Sequence, residues 1–337
     1  MKGADASGPH GILVVDKPQG PTSHDVVQSA RRLLRTRRVG HAGTLDPMAT
    51  GVLVLLLGEA TKLSEIATAA DKTYRAQIRF GRATDSHDAD GRTTAEAAFA
   101  WDALGASALE RALASERLRT LQVPPAVSAI KLQGRRAYEL SRSGTPPELE
   151  PRPVSVREIK ILERDALTLS LELRVSKGYY VRALARDIGL ALGVPAHLSQ
   201  LRRMVSGSFS LSEACPWPPP RPPEPLALRQ VLARLMPTLR LTEDGVLRAR
   251  AGQRLSALDF LDPPPAPFTP SSSQSSVSTS DSPCGEQEGK STTLCAWTDQ
   301  NGSPIAIGAR DGDFFRVRRG FAAELGRTRE RASKDEP

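Results

Sequence analysis

The chain has 337 residues, and its 46 Lys and Arg against 38 Asp and Glu give a formal net charge of +8. This length allows about two domains, and the basic balance favours a polyanionic partner such as nucleic acid. The longest apolar run, VLVLLL, is too short to span a bilayer and the first residues lack a hydrophobic signal segment, so we expect neither membrane insertion nor secretion.

Cysteine and histidine usage argues against metal and disulfide chemistry. The three cysteines, Cys215, Cys284 and Cys295, are odd in number and lack the paired spacing of zinc ligands. The five histidines are scattered, and the sequence contains neither a P-loop nor a dinucleotide-binding fingerprint. We therefore expect a cytoplasmic protein that uses no metal and no cofactor.

The first predicted elements are a buried strand, a Pro/Gly turn and an amphipathic helix. GILVVDKPQGPTS supplies the strand and the turn, and Thr22 or Ser23 stands where a helix N-cap belongs, with the N-cap role explaining Ser23. In HDVVQSARRLLRTRR, residues 24–38, apolar residues recur at helical spacing and five arginines crowd the C-terminal half. These arginines form either a solvated helix face or a positive surface beside the next motif.

The following segments predict the strands of one sheet and a second helix. VLVLLLG has the continuous apolarity of a central strand, and KTYRAQIRF alternates so that Tyr74 lies on the buried or pocket-lining face. LTLSLELRV indicates a half-buried strand, and YVRALARDIGLALG a helix that ends at Gly193. AHLSQLRRMVSGSFSL predicts a basic turn and one more strand. Together they predict a mixed α+β domain over residues 1–215, with a Pro-rich basic excursion at 120–152.

Proline and serine content divides the rest of the chain. PWPPPRPPEP breaks regular structure and predicts a linker at 216–227. LRLTEDGVLRARAGQRL and LCAWTDQNGSPIAIGARDGDFFRVRRGF predict short strands of a small barrel-like β domain at 228–325. The Pro/Ser-rich insert at 262–290 can bury too little apolar surface to fold, so we expect it, and the tail at 326–337, to be disordered.

The motif HAGTLDPMATG, residues 41–51, places a single carboxylate in a loop before the apolar strand. Loops held at the end of a sheet commonly carry functional groups, which makes Asp46 a candidate site residue. The structural alternative is an Asx turn that stabilises the LDP bend. Spacing alone leaves both interpretations open and favours the turn.

Five collinear segments resemble the bacterial tRNA pseudouridine-55 synthases, the TruB family. They are GILVVDKPQGPTSHDVV, RVGHAGTLDPMATGVLVLLLGEATK, KTYRAQIRFGRATDSHDADG, VPPAVSAIKLQGRRAYELSRSG, and SKGYYVRALARDIG with HLSQLRR. The resemblance covers residues 11–210 and continues more weakly into the C-terminal domain, which in this family is PUA-like. It implies a pseudouridine-synthase fold, with a mixed, mainly antiparallel sheet flanked by helices. It also implies cofactor-free isomerisation of one uridine in the T-loop of tRNA.

The resemblance further implies roles for individual residues. Asp46 matches the nucleophile, Arg182 the arginine that pairs with it, and Tyr74 the tyrosine that stacks on the flipped uracil and can take its C5 proton. Whether Asp46 attacks the base, attacks the sugar C1′ or takes a ribose proton stays open. The other matches are substrate contacts at His41, Tyr180 and Leu201 and supporting positions at Lys17, Pro18, Gly43 and Thr44.

The basic excursion at 120–152, with Lys131 and Arg135, is the candidate clamp over RNA, and phosphate contacts there would make binding weaken steeply with salt. We expect the partner to be the T-arm stem-loop of tRNA, bound by a monomer without an obligatory protein partner. Two alternatives stay open: a non-catalytic RNA-binding or tRNA-folding module, and a synthase of another uridine or a guide-RNA-dependent relative. The combination of Asp46, Tyr74 and Arg182 argues against the first, and the C-terminal domain and excursion argue against the second.

Overall fold

The computed structural model describes residues 8–127, 131–132, 135–136, 149–262 and 293–322. The chain divides into two compact units, Met1–Leu226 and Ala227–Pro337. The predicted tail at 326–337 and all but the first residue of the predicted insert at 262–290 lie outside the described residues. None of the described helices is long and apolar enough to cross a membrane.

Strands and helices of the first unit have the following bounds. The strands are β1 Gly11–Lys17, β2 Val39–His41, β3 Thr50–Leu57, β4 Lys72–Phe80, β5 Arg82–Thr84, β6 Thr93–Glu96, β7 Leu121–Gln122, β8 Lys131–Leu132, β9 Arg135–Arg136, β10 Arg152–Pro153, β11 Val156–Arg164, β12 Thr168–Val175, β13 Ala196–Ser206, β14 Phe209–Ser210 and β15 Cys215–Pro216, with β16 Leu226–Ala227 at the boundary between the units. The helices are α1 Ser23–Leu33, α2 Ser64–Ala69, α3 Ala108–Arg117 and α4 Val181–Leu192.

A large mixed sheet forms the body of this unit, with strand order β11-β12-β4-β13-β3-β1-β15. Along this order, β13 with β3 and β1 with β15 are parallel, and the other neighbours are antiparallel. The expected mixed, mainly antiparallel sheet is therefore confirmed. Strand β3 lies near its centre and is buried from Gly51 to Leu57, which explains the continuous apolarity of VLVLLL.

The buried faces of the strands and helices follow the apolar patterns that the sequence predicts. The buried residues of β4 and β12 recur at every second position, with Tyr74 and Leu173 on the core side. Helix α4 buries its apolar stripe and ends at Gly193, which takes the left-handed conformation at φ 68°.

The first helix is shorter than predicted. Thr22 caps α1 through a capping box with Asp25, but the helix ends at Leu33 rather than near residue 38. The chain reverses at Arg35, whose φ is 50°, while the Thr36 N–H donates to the Arg31 carbonyl at 3.1 Å. This closure places an arginine where glycine is usual, so nothing in the sequence signals it. Only the first two of the five arginines are therefore helical.

The basic turn predicted within AHLSQLRRMVS is wrong, because the segment forms one continuous strand, β13. This strand pairs with β4 along its length and meets β3 at two pairs, Arg202 with Thr50 and Arg203 with Gly51. Gly51 has φ +99°, and a Cβ there would lie 2.3 Å from the Arg203 carbonyl oxygen. The two strands can approach this closely only because the residue is glycine.

The predicted linker at 216–227 begins inside the folded unit. Cys215 and Pro216 form β15, which pairs in parallel with Val15 and Asp16 of β1. Trp217 is buried in the core of the first unit. The start of the linker prediction is wrong, because proline tolerates a position at the sheet edge.

The second unit contains a four-stranded sheet and two helices. The strands are β17 Thr238–Arg240, β18 Leu294–Thr298, β19 Pro304–Asp311 and β20 Phe314–Gly320, in that order, and the helices are α5 Leu228–Leu235 and α6 Glu243–Arg250. The strands predicted after residue 294 are confirmed. The strand interpretation of TEDGVLRAR is wrong, because the Thr242 hydroxyl caps a helix with acids in its first turn and arginines in its last. The PUA-like assignment stays a prediction.

Candidate active site

Asp46 lies in the loop that joins β2 to β3. A turn closes directly after it, since the Ala49 N–H donates to the Asp46 carbonyl at 3.1 Å. The next carbonyl, that of Pro47, accepts from the Gly20 N–H at 2.9 Å and fastens the loop to the turn after β1. The Asp46 side chain keeps 33% of its surface exposed, so a ligand can reach the carboxylate.

Arg182, in the first turn of α4, lies against this carboxylate. Its Nη2 donates to Asp46 Oδ1 at 3.2 Å, and its Nε is 2.9 Å from Asp46 Oδ2, although the Nε–H is not aligned for a hydrogen bond. Two guanidinium nitrogens therefore face two carboxylate oxygens, which fixes the plane of the acid. Among the described residues the Asp46 carboxylate makes its contacts with Arg182 and not with the LDP backbone, so the Asx-turn alternative is wrong.

A second aspartate, Asp88, holds Arg182 from the other side. Its Oδ2 is 3.6 Å from Arg182 Nε, and the Ser86 carbonyl accepts from Arg182 Nη1 at 3.0 Å. Asp88 is itself buried, and its Oδ1 accepts from the Ser86 hydroxyl at 2.5 Å and from the Asp90 N–H at 3.1 Å. Arg182, only 5% exposed, is thus pinned between two acids. Sequence reasoning missed Asp88, because no spacing connects it with a residue on α4.

One row of residues crosses the sheet beneath the Asp46 loop. Strand register aligns Lys17 of β1, Gly51 of β3, Arg203 of β13, Tyr74 of β4 and Leu173 of β12. Directly paired residues point to the same face of a sheet, so these side chains share one side. The row therefore collects two buried cations and the candidate stacking tyrosine under a single loop.

Lys17 supports the loop from below. Its ammonium is fully buried and donates to the carbonyls of Pro18 at 2.8 Å and Pro47 at 3.3 Å. Burial lowers the pKa of Lys17 to about 8, and the negative charge of Asp46 opposes that shift. The structure thus joins Lys17 to the residue that follows Asp46, and Pro18 supplies the second acceptor for the same ammonium.

Ser23 holds the residue that precedes Asp46. Thr22 is the N-cap of α1, which leaves the buried Ser23 hydroxyl free for another partner. That hydroxyl donates to the Leu45 carbonyl at 3.0 Å and accepts from the Leu45 N–H at 2.8 Å. The N-cap interpretation of Ser23 was therefore wrong, and sequence reasoning missed its loop contact.

The Asp46 loop begins after His41, the last residue of β2, and continues through Gly43 and Thr44. Gly43 adopts φ +93°, and its carbonyl and that of Thr44 face the guanidinium of Arg203. His41 is half-buried, and burial together with the Arg203 charge lowers the pKa of its imidazole. Its Nδ1 is buried and has no hydrogen-bond partner among the described residues, which is uncommon for a buried polar atom and marks His41 as a candidate for a ligand contact.

Tyr74 and Leu201 lie on the face of the sheet that carries the row. Leu201 pairs with Ala76, two residues beyond Tyr74 along β4, so the three side chains share that face. Tyr74 and Leu201 are largely buried in the cluster that also contains Leu45. The structure places both on the apolar floor adjoining the Asp46 loop.

Tyr180 stands immediately before α4, and its side chain is only partly buried. Its backbone is held by buried Gln122, which accepts from the Tyr180 N–H at 2.8 Å and donates to the Tyr180 carbonyl at 3.2 Å. Lys131 and Arg135 belong to the β8–β9 hairpin, whose backbone pairing is what the structure describes of them. Their clamp role stays a prediction.

Within the described residues, no group of His, Cys, Asp or Glu side chains is arranged to hold a metal ion. The polar groups around Asp46 are instead cations, backbone carbonyls and, across Arg182, the carboxylate of Asp88. This arrangement can orient one carboxylate next to an apolar floor and an aromatic ring.

Comparisons with known proteins identify the family of the chain. A family model described as TruB family pseudouridylate synthase (N terminal domain) matches residues 31–181, and one described as tRNA pseudouridylate synthase B C-terminal domain matches residues 182–216. A protein called tRNA pseudouridine synthase B from Mycobacterium tuberculosis (strain ATCC 25618 / H37Rv) is 49% identical over 213 residues, which are 62% of this chain and 70% of the relative. One of the same name from Corynebacterium aurimucosum is 46% identical over 241 residues, 69% of this chain and 80% of the relative.

Solved structures share the fold at lower identity. A Cbf5-Nop10-Gar1 complex matches with a TM-score of 0.65 and 22% identity, covering 93% of this chain and 85% of that chain. An H/ACA RNP bound to a substrate RNA containing 2′-deoxyuridine matches with a TM-score of 0.61 and 21% identity, over 93% and 85% of the two chains. The family match and the identity to curated relatives, together with this shared fold, show that the chain belongs to the TruB family of pseudouridylate synthases.

Proposed function

We propose that this chain isomerises uridine 55 in the T-loop of tRNA to pseudouridine, without a cofactor and with Asp46 as the nucleophile. The observation that carries the proposal is the accessible Asp46 carboxylate, held in plane by a buried arginine, in a chain of this family. A module that only binds RNA would gain nothing from a carboxylate turned toward a phosphate-rich ligand.

The reaction exchanges one bond between sugar and base for another. The N1–C1′ bond breaks, the C5–C1′ bond forms, C5 loses a proton and N1 gains one, so no external reactant is consumed. A uridine inside folded RNA must leave its stack before Asp46 can reach it. The family's flipped base would lie on the apolar floor of Leu201 against Tyr74, which is also the candidate acceptor of the C5 proton.

Arg182 would keep the nucleophile aimed while the RNA enters. His41, with its unpartnered Nδ1, and Tyr180, with its clamped backbone, are the candidate contacts to the T-loop. Asp46 itself has three candidate first steps: attack on the base, attack on C1′ or removal of a ribose proton. All three need the same ionised, oriented carboxylate.

The test is chemical mapping of pseudouridine on an unmodified tRNA transcript. We expect product at position 55 with the wild-type protein, none with Asp46→Asn, and wild-type product with the exposed control Asp102→Asn. A transcript with cytidine at position 55 should give no product. An inactive wild-type protein, equal product from Asp46→Asn, or pseudouridine at another position would each refute the proposal.

We also propose that the chain acts as a monomer, grips the T-arm partly through the excursion at 120–152, and needs no protein partner. Phosphate contacts by its lysines and arginines would release counterions, so affinity should fall steeply between about 50 and 200 mM salt. Light scattering on the active protein tests the monomer, filter binding across that salt range tests the phosphate contacts, and product formation by the purified protein alone tests the independence from a protein partner. A stable dimer, or an affinity independent of salt, would contradict them.

A further inference from the structure

Arg203 is a buried arginine that contacts the Asp46 loop from both sides. Its side chain lies in the middle of the sheet and is 1% exposed. Nε donates to the Val52 carbonyl at 2.6 Å, Nη2 to the Gly43 carbonyl at 3.0 Å, and Nη1 reaches the Thr44 carbonyl at 3.4 Å. The three acceptors flank Asp46, two before it and one at the start of β3.

Among the residues that the structure describes, no carboxylate forms an ion pair with Arg203. Its neighbours include Lys17, His41 and Lys72; burial lowers the pKa of each of the three, and the charge of Arg203 lowers it further. A buried cation among other cations is costly unless its hydrogen bonds are satisfied, and here backbone carbonyls of the loop satisfy them.

The contacts fix the loop at the positions that set where Asp46 stands. Gly43 has φ +93° and Gly51 has φ +99°, so the chain enters and leaves the loop through two left-handed residues. Because such glycines add backbone freedom, the loop needs other groups to hold its shape. Lys17 holds Pro47 and Ser23 holds Leu45, and Arg203 alone of the three contacts both ends of the segment.

We propose that Arg203 is a positioning residue for the reaction, which places the Asp46 carboxylate against Arg182 by holding the carbonyls of Gly43, Thr44 and Val52. The proposal rests on Asp46 being the nucleophile, as proposed above. Arg203 does not touch the substrate in this role. It acts through the loop.

A lysine cannot replace the guanidinium of Arg203 in these contacts. Three carbonyls that lie in different directions from one planar guanidinium require its spread of donors, whereas an ammonium is a single point on a flexible chain. Arg203→Lys keeps the charge and most of the volume, so it removes geometry more than electrostatics.

The adjacent residue supplies a matched control. Arg202 points to the opposite face of β13, where its Nη2 pairs with Asp16 at 2.7 Å and its Nη1 donates to the Thr50 hydroxyl at 3.2 Å. It also ties β13 to β3 and β1, but it contacts none of the loop carbonyls. Arg202→Lys therefore repeats the substitution on the same strand without touching the loop that carries Asp46.

The experiment measures kcat for pseudouridine formation, Kd for tRNA and Tm in wild type, Arg203→Lys, Arg202→Lys and Asp46→Asn. We expect Arg203→Lys to lower kcat about 100-fold, the effect of a misplacement of about 1 Å, while Kd stays within about twofold. Arg202→Lys should keep kcat near wild type even if its Tm falls equally. A kcat for Arg203→Lys within about threefold of wild type, an equal loss in Arg202→Lys, or a loss confined to Kd would overturn the proposal.

Two further arms keep the outcome unambiguous. If Arg203→Lys does not fold, Gly43→Ala tests the same loop, because it strains the residue at φ +93° while its Cβ meets Arg203 Nη1 only at an ordinary 3.5 Å. Its kcat should fall at unchanged Kd, and a wild-type kcat would overturn the proposal. An inactive wild type would defeat the proposed function itself. An active wild type with a dead Asp46→Asn and a normal Arg203→Lys would defeat this inference alone.

Discussion

The two units of the chain differ in the charged side chains that they bury. The first buries Lys17, Arg182, Arg203 and Asp88, each at most 5% exposed. The second builds its core on Trp297, with Phe260 packed edge-on at 5.5 Å, and its clearest ion pair, Arg240 with Asp262, is largely exposed. Its buried acid, Asp259, caps a short turn through the Ser256 N–H and hydroxyl.

The difference indicates what the buried charges of the first unit are for. Removing ions from water costs more than their mutual attraction usually returns, so apolar residues would stabilise the same fold better. Among its described residues, the second unit makes a core without a buried cation. Lys17, Arg182, Arg203 and Asp88 converge on Asp46 and its loop, which supports a role for these four in positioning that carboxylate, whereas buried Glu59 and Glu116 pair with other arginines and lysines.

The largest expected effect comes from breaking an ion pair in each unit. Arg182→Met leaves buried Asp88 without compensation and should lower the free energy of unfolding of the first unit by about 3–5 kcal/mol. Arg240→Met in the second unit should leave its stability unchanged within error, because that pair is screened by solvent. Hydrogen exchange resolves the two units. Equal protection losses in both would contradict the contrast.

Glycine substitutions sharpen the comparison at the next level. Gly51→Ala adds left-handed strain at φ +99° and places a Cβ 2.3 Å from the Arg203 carbonyl, so we expect a loss of about 3 kcal/mol together with reduced kcat. Gly308→Ala places a Cβ 1.9 Å from the Trp297 ring and should cost about 2 kcal/mol in the second unit, at unchanged single-turnover rate. A rate loss with Gly308→Ala equal to that with Gly51→Ala would show that the rate does not depend specifically on the loop of Asp46 in the first unit.

Sequence reasoning found what periodicity or family resemblance can reveal. The alternation of KTYRAQIRF and LTLSLELRV fixed two strands and the face of Tyr74, and the Gly193 terminator fixed the end of α4. Sequence reasoning failed where a polar side chain forms hydrogen bonds with backbone groups that are distant in the sequence. Arg203 lies 151–160 residues from its three carbonyl partners, and an arginine pair in LSQLRR resembles a solvated turn until those partners are known. Ser23 was hidden in the same way by the neighbouring N-cap.

The pH dependence of stability tests whether Lys17 is buried as a cation. Burial lowers its folded pKa to about 8 from an ordinary 10.5, so between these values the unfolded chain binds a proton that the folded chain does not. The free energy of unfolding therefore rises with pH in that window, by about 1 kcal/mol per pH unit, and shows no such slope below it. Lys17→Met should lack this contribution.

Urea unfolding of the wild type and Lys17→Met at pH 7, 8.5 and 9.5 measures the contribution as a difference. Lys72, whose pKa burial also lowers to about 8, is present in both proteins and cancels. The stability of the wild type relative to the variant should increase from pH 8.5 to pH 9.5. A difference that stays constant would show that Lys17 is solvated, and one that falls as the pH rises would show that its folded pKa is raised by a stabilising partner. Either result would contradict burial of the cation at a cost.

The smallest expected effects separate a loop contact from a helix cap. Ser23→Ala removes both hydrogen bonds to Leu45 and should cost about 1–2 kcal/mol. Thr242→Ala removes the cap of α6 in the second unit, where the hydroxyl accepts from the Gly245 N–H at 3.0 Å, and should cost about 1 kcal/mol. Although the two stability losses are similar, only Ser23→Ala loosens the residue next to Asp46.

Single-turnover rates on saturating tRNA should therefore fall for Ser23→Ala and stay at the wild-type value for Thr242→Ala. Equal rates would mean that Lys17 and Arg203 hold the loop without help from α1.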